Sequence, residues 1–368
     1  MPFTYTAEYS TNGTTWTALT NVQAVSGFAG RQKLVDTFEP SRMTVTLRYP
    51  DGYTSPITAL LPGTWIRVKR TGATYELWRG KIRNVSVQYG IPYEDGVGNA
   101  DFLILECEGA LAELGRLQGN DQEITTDLVY WLLGDVTTYT GVPIGTTFTE
   151  ANSPTLATST VSGSYAEWLN NLANSVGATI KDGSGIVGVN TKDFIGTLPV
   201  AFSDAANDVD NQVYDVLEFD SVSADYYTQV EINTNSVGTV TAETGSAPYR
   251  TLRLSTFNVS TAQASDVANY WLGIFNPLKV GITSLSCLAE SQAVMNLELE
   301  YGWWDLPGYR TNVTFRGETY YMTIIGVSID ATPASARYTY YVADTALFPY
   351  EVLDDPIYGQ FDNRKLSW

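Results

Sequence analysis

One short passage occurs twice in this sequence. LPGTWIRVKRTG, Leu61 to Gly72, returns 245 residues later as LPGYRTNVTFRG, Leu306 to Gly317. Both carry Leu-Pro-Gly, then Val at one offset (Val68 and Val313), then Gly at one offset (Gly72 and Gly317). Each reads as a turn, a strand and a second turn, because Pro-Gly and Gly punctuate an extended run. With three residues removed the match continues. WRGKIRNVSV aligns with YYMTIIGVSI, pairing Trp78 with Tyr320, Ile82 with Ile324, Val85 with Val327 and Val87 with Ile329. In both copies the apolar face changes phase after the isoleucine, as a β-bulge or a barrel corner requires. After a loop six residues shorter in the second copy, FLILECEGAL aligns with YTYYVADTAL. The alternative is two unrelated hairpins that share common turn chemistry.

Taken as a repeat, the echo predicts a mainly β chain with inserted α+β: two related antiparallel β-barrel domains, with a helix-hairpin insertion and a third helix. A closed trimer of such subunits carries six similar modules. One face can then mate with a six-fold ring while the whole stays three-fold.

The length of 368 residues accommodates two or three domains. Aromatics at 12% favour strands. A formal net charge of −19 argues against a protein that neutralises phosphates, and solubility is its plain explanation. There is no histidine, which removes Ser-His-Asp and Cys-His nucleophilic sites and histidine-containing zinc sites. Most familiar hydrolase designs are thereby excluded, although two carboxylates could still do acid and base work; no catalytic residue, cofactor or metal site is assigned. DGSGIVGVN carries the bare GxGxxG spacing at Gly183, Gly185 and Gly188, but its flanks are extended, so it reads as a hairpin turn. Asp204, Asp208, Asp210 and Asp215 form the densest acidic cluster; it lacks the EF-hand's Gly and terminal Glu and reads as a polar loop rather than a calcium site. Cys107 and Cys287 lie in apolar runs and are expected as buried free thiols. No run suits a membrane span, and MPFTYTAEYSTNGTTW lacks the pattern of a secretory signal, so folding in a cytosol is expected.

The chain divides into a β-barrel-like domain over 1–118 and a helical and hairpin insertion over 119–200. A β segment over 201–258 is expected to complete the first domain. A helix plus a second β-barrel-like domain follow over 259–350, then an extended tail over 351–368. MTVTLRY places Met43, Val45, Leu47 and Tyr49 on one face of a strand. TTDLVYWLLGDV groups Leu128, Trp131, Leu132 and Val136 at helical spacing. A second helix opens on the capping box Ser164 and Glu167 and ends at Gly177; a third opens on Ser260 and Gln263 and stops at Asn276-Pro277.

YELWRGKIRNVSV running into ADFLILECEGALAELGRL, the helix-hairpin YAEWLNNLANSVGATIKDGSGIVGV, the helix TAQASDVANYWLGIFNPLKVGITSLSC and the barrel opening LPGYRTNVTF together resemble the tail hub or minor tail proteins of bacteriophages. The closing LDDPIYGQFDNRKLSW is similar to the tails of minor tail proteins from phages of actinobacteria. The resemblance implies a structural virion protein, not an enzyme: a homotrimeric baseplate hub made in the host cytoplasm and placed at the distal end of the tail. Its implied neighbours are the tail tube protein or a distal tail protein, the C-terminus of the tape measure protein, and a downstream fibre or spike, with DNA passing through the lumen without specific binding. Tyr358, Phe361 and Trp368 are candidate assembly anchors in the tail. Competing readings are a hexameric distal tail protein, a carbohydrate-binding module with YGWWDLPGY as its aromatic platform, and a glycosidase built on two carboxylates.

Overall fold

The computed structural model describes residues 5–50, 60–71, 73, 75–90, 100–192, 194, 196–198, 201–205, 211–221, 226–276, 280–288 and 302–345. The first part is β1 (Tyr5–Ser10), β2 (Thr17–Ala18), β3 (Val22–Gly30), β4 (Glu39–Tyr49), β5 (Trp65–Arg70), β6 (Trp78–Gln88) and β7 (Asp101–Glu108). Helices α1 (Ala110–Arg116), α2 (Val129–Thr140) and α3 (Tyr165–Val176) follow, then a hairpin of β8 (Thr179–Asp182) and β9 (Val187–Asn190). The second barrel begins with β10 (Phe202–Ser203), β11 (Gln212–Val213) and β12 (Val216–Ser221). It is interrupted by β13 (Gln229–Thr234), β14 (Gly238–Glu243), β15 (Thr251–Thr256) and α4 (Thr261–Phe275). It is then completed by β16 (Val280–Leu288), β17 (Tyr309–Phe315), β18 (Glu318–Ala331) and β19 (Ala336–Asp344).

The two barrels repeat one strand order. In the first, β3, β4, β7, β6, β5 and β1 pair in sequence, and β2, on the same run of chain as β3, pairs back onto β1. In the second, β12, β16, β19, β18, β17 and β10 pair in sequence, and β11, on the same run as β12, pairs back onto β10. Each ring thus closes through a segment that changes partner partway along. One element departs from the repeat: β1 pairs antiparallel with β5, whereas β10 pairs parallel with β17.

Physical chemistry explains the repeated passage. Leu61-Pro-Gly-Thr64 and Leu306-Pro-Gly-Tyr309 are turns closed by Thr64 N–H to Leu61 O (3.0 Å) and Tyr309 N–H to Leu306 O (2.9 Å). Gly63 and Gly308 take φ of 92° and 93°, the left-handed value that a type II turn demands at its third residue. Each glycine then donates its N–H to the carbonyl of the echoed isoleucine, Gly63 to Ile82 (2.8 Å) and Gly308 to Ile324 (2.7 Å). At those isoleucines the ladder to the next strand slips, between Ile82 and Asn84 and between Ile324 and Gly326. The phase change is a β-bulge in both copies, and the turn docks on it.

The third strand needs a correction. Ile82 lies opposite Cys107 and Ile324 opposite Val342, so Cys107 is equivalent to Val342, one residue away from the alignment drawn on the sequence. Because strand side chains alternate, that slip would have exchanged the faces: Leu103, Leu105 and Cys107 point inward, as do Tyr338, Tyr340 and Val342. Within the stretch 1–118 expected as β-barrel-like, the last strand ends at Glu108 and Ala110–Arg116 is helix α1. The segment 201–258 does not complete the first barrel. Strands β10 to β12 belong to the second, and β13 to β15 form a separate sheet under α4.

In β4, Met43, Val45 and Leu47 face the core, as the alternation predicts. In α2 the buried stripe is Val129, Leu132, Leu133 and Val136, while Trp131 stays 47% exposed and stands edge-on to Tyr130. Helices α3 and α4 begin as expected, with the Ser164 and Ser260 hydroxyls accepting from Glu167 N–H and Gln263 N–H. One continuous core runs through both barrels and includes Trp78, Leu105, Val327 and Tyr340. A second lies under α1 to α3, and a third joins α4 to β13.

Glycine substitutions separate these roles. Gly134, exposed in α2 with nothing near an added Cβ, is expected to stabilise by about 0.5–1 kcal/mol as Gly134→Ala. Gly308→Ala is expected to cost about 1–2 kcal/mol from the left-handed backbone alone. Denaturant unfolding of the two variants checks the order.

Candidate functional site

The barrels meet where a strand of one pairs with a strand of the other. The N-terminal half of β18 pairs with β17 on one side; its C-terminal half runs past β17 and pairs on that side with β3. The register sets Gly326 opposite Gly30, Ser328 opposite Phe28 and Ala331 opposite Val25. A Cβ on Gly30 would meet the Ile325 carbonyl oxygen at 2.4 Å, and one on Gly326 would meet the Arg31 carbonyl oxygen at 2.3 Å. Only a glycine pair lets the backbones approach this closely. Arg31 N–H continues the joint to Ile325 O (2.9 Å), and the Phe28 ring stands edge-on to Tyr341 at 5.8 Å. The Arg31 guanidinium is buried over Phe38 (4.6 Å) and donates to Leu34 O (2.7 Å); burial lowers its pKa to about 10, against the opposing pull of Tyr270 and Asp36, so it remains a cation at neutral pH.

The hairpin wedges this joint. Successive strand residues face opposite ways, and β8 puts Lys181 toward the second barrel and Asp182 toward the first. Lys181 Nζ donates to the Asp305 carbonyl (2.8 Å) and carboxylate (2.9 Å), beside the rings of Phe194 and Tyr309. Its burial lowers its pKa, and Asp305 opposes the shift. Asp182 Oδ2 accepts from Ser41 N–H (2.9 Å), and Ser41 Oγ accepts from the Trp78 indole N–H (3.0 Å). The Asp182 carboxylate also lies against the Leu111 and Ala110 amides at the start of α1. Its Oδ1 lacks a partner of normal geometry. Burial outweighs the hydrogen bonds and lifts the pKa to about 6. Gly183 follows at φ 135°, where a Cβ would strike both Trp304 (2.6 Å) and Trp78 (2.9 Å). The GxGxxG run is thus a hairpin turn squeezed between tryptophans of the two barrels.

Two edges are open among the described strands. Beyond β5, residues 84–88 of β6 pair with β7 alone among the described strands, and β12 pairs with β16 alone. These are the counterparts of β18 and β3, the two strands joined inside the chain. Val85 and Val87 are accordingly only half-buried, where Val327 and Ile329 are buried. On β12, Val216 is 46% and Phe219 43% exposed.

The echoed residues Trp78, Ile82, Ile324 and Val327 lie in the core and Tyr320 packs at its margin. Tyr358, Phe361 and Trp368 lie outside the described residues, as do Asp208, Asp210 and Tyr301. Asp204 accepts from Arg316 N–H (2.7 Å) in the second turn of the echo, and Asp215 pairs with Arg337. No group of three or more His, Cys, Asp or Glu side chains suited to a metal occurs among the described residues. Cys107 and Cys287 are both buried. No described helix is long and apolar enough to cross a membrane. Lys181, Asp182, Gly30 and Gly326 were not singled out for these contacts from sequence. The sole local sign was a charged pair inside the short strand TIKD.

No protein-family profile matches the chain, and no curated protein matches it in sequence. Solved structures do. The chain is similar to the 43 kDa tail protein of a Shewanella oneidensis prophage, with a TM-score of 0.68 at 11% identity over 94% of this chain and 99% of that one. It is similar to a tail protein of Neisseria meningitidis, with a TM-score of 0.63 at 13% identity over 94% and 99%. It is also similar to an Escherichia coli component of the type VI secretion system, described as structurally similar to T4 bacteriophage tail proteins, with a TM-score of 0.54 at 12% identity over 90% and 78%. The fold is that of phage tail proteins.

The Asp182 pKa sets a pH dependence. A carboxyl raised from 3.8 to about 6 holds its proton longer in the folded state. Its contribution to stability is therefore greatest at low pH and declines as pH rises through that window, by about 3 kcal/mol in total. Unfolding free energies of the natural protein and Asp182→Asn, measured from pH 3.5 to 7.5, should diverge in the variant's favour by that amount and run parallel above pH 7. Parallel curves throughout would remove the assignment.

Proposed function

We propose, from the tail-protein fold as premise, that the chain is a structural subunit of a phage tail tip: a hub that forms a closed trimer and presents six similar barrels to a six-fold tube. One observation carries this reading. The two barrels of the chain share a strand order and are joined head to tail, β3 of one to β18 of the other, leaving one edge of each kind unpaired among the described strands. A head-to-tail contact repeats from copy to copy until the rotation closes a ring. Barrels that are similar but not identical supply the mismatch a hub must bridge, six positions on the tube side and three on the spike or fibre side. The proposed role is mechanical, with no catalytic step. The acidic excess, where it lines the channel, would repel passing DNA.

Light scattering on the purified chain at several concentrations tests the assembly. A mass near three times the 40.3 kDa of one chain is expected. A six-copy ring would instead select a distal tail ring, and a persistent monomer that binds cell-wall glycans would select the carbohydrate-binding module.

A further inference from the structure

The joint inside the chain specifies the joint between chains. Ladder registers give the equivalences. Val68 opposite Trp78 and Val313 opposite Tyr320 fix β6 on β18, so that Asn84 matches Gly326, Val85 matches Val327 and Ser86 matches Ser328. Following the pairing through β7 and β4, and through β19 and β16, fixes β3 on β12. Arg42, opposite Phe28, matches Ile282, opposite Phe219; Thr44, opposite Ser26, matches Ser284, opposite Glu218. Phe28 is thus equivalent to Phe219 and Ser26 to Glu218, with Gly27 left unmatched because the β12–β16 ladder slips between Glu218 and Phe219; the shared register runs from Phe219 onward.

We propose that residues 84–88 of β6 in one copy pair antiparallel with β12 of a second copy, in the register of the β3–β18 joint, with Ser86 opposite Phe219 and Val85 opposite Asp220. The proposal rests on the closed-ring reading and names the surfaces that ring would use. Both edges are free for it among the described strands, and an open edge is a template for strand addition. The half-buried Val85 and Val87 would gain the cover that Val327 and Ile329 already have.

Charge favours the same partner. Inside the chain, Thr323 and Ile325 stand at the positions of Lys81 and Arg83, which in the first barrel pair with Glu113 and Glu108, and Ser26, opposite Asp330, and Ala29 stand where the second barrel has Glu218 and Asp220. The free stretch 84–88 of β6 therefore carries no charge, and the free β12 edge is acidic. Arg83, Glu218 and Asp220 are exposed. Two acidic β12 edges repel, whereas β12 against the uncharged β6 stretch does not, so the pattern favours a second copy of this chain arranged head to tail over a two-fold dimer through β12. The joint between copies also lacks the glycine pair, with Asn84 in place of Gly326, so it begins one residue later than its internal counterpart.

Disulfide trapping tests the register. Residues directly opposite in an antiparallel pair lie about 4.5–5.5 Å apart at Cα, within the range a disulfide spans. The double variants Ser86→Cys with Phe219→Cys, and Val85→Cys with Asp220→Cys, cover both kinds of opposed pair. The native Cys107 and Cys287 are buried and should stay silent. After mild oxidation, non-reducing gels are expected to show most of the chain as linked dimers and trimers, with no ladder beyond three copies and none from the single variants. Light scattering on the same samples separates the causes of failure. A trimer with reactive but unlinked cysteines in both pairs overturns the proposed joint and leaves the trimer standing. A ladder extending past three supports the joint and overturns the three-copy ring. A monomer with no cross-link overturns both.

Discussion

The arrangement of the molecule depends on the close approach of Gly30 and Gly326. Strand β18 serves two barrels, holding β17 with its first half and β3 with its second, and the crossing point has no room for a side chain on either backbone. Strand pairing is directional and registered, so it fixes the barrels in orientation as well as proximity; packing of two closed barrels through side chains alone would leave both free to slide. One sheet therefore runs from the first barrel into the second, and one core fills both. Arg31, buried directly after Gly30, closes the end of the joint with its amide on Ile325 and its guanidinium on Leu34.

The hairpin resists any residual hinge. Lys181 and Asp182 are neighbours in the chain, yet one is bonded to Asp305 before the second Leu-Pro-Gly turn and the other to Ser41 in β4. Rotating one barrel against the other would strip one of two buried charges of its partner, and an unpaired buried charge costs several kcal/mol. Trp78 and Trp304 both close on Gly183, so the same movement would also open a void beside it. The insertion is thus a brace between the barrels.

What the sequence made legible was local. Leu-Pro-Gly forces a turn by backbone chemistry, and the phase change after Ile82 and Ile324 marks a bulge because alternation cannot otherwise be broken. The serine caps of α3 and α4 were readable for the same reason. The errors arose where a long-range partner decides. The third strand was aligned one residue out because both copies end in Ala-Leu, a coincidence: Ala110 and Leu111 open α1, and 346–347 lie outside the described residues. Trp131 fits a helical stripe as well as Leu133 does, and only the position of the neighbouring core buries the leucine. The chain order of 201–258 gave no sign that β12 would take its partner from beyond α4. Glycines such as Gly30 and Gly326 look the same in a string whether they form a turn or a joint.

The two copies differ most where their neighbours differ, and that pattern has a physical reading. Turn, bulge and inward-facing positions are kept in kind, because each barrel must close on itself whichever place it occupies. Edges are not. The pair joined within the chain is tight through glycine, which suits a contact that forms once, during folding, at the high effective concentration of a single polypeptide. The free pair lacks the glycines and its β12 edge is acidic, which suits a contact between separate molecules, where like charges reject the pairing of two β12 edges. A strictly symmetric duplication would make its internal and external edges interchangeable. Two chains could then exchange partners at the stage when each should be closing its own joint. Divergence at the edges removes that choice while the barrels stay alike enough to occupy neighbouring places in one ring.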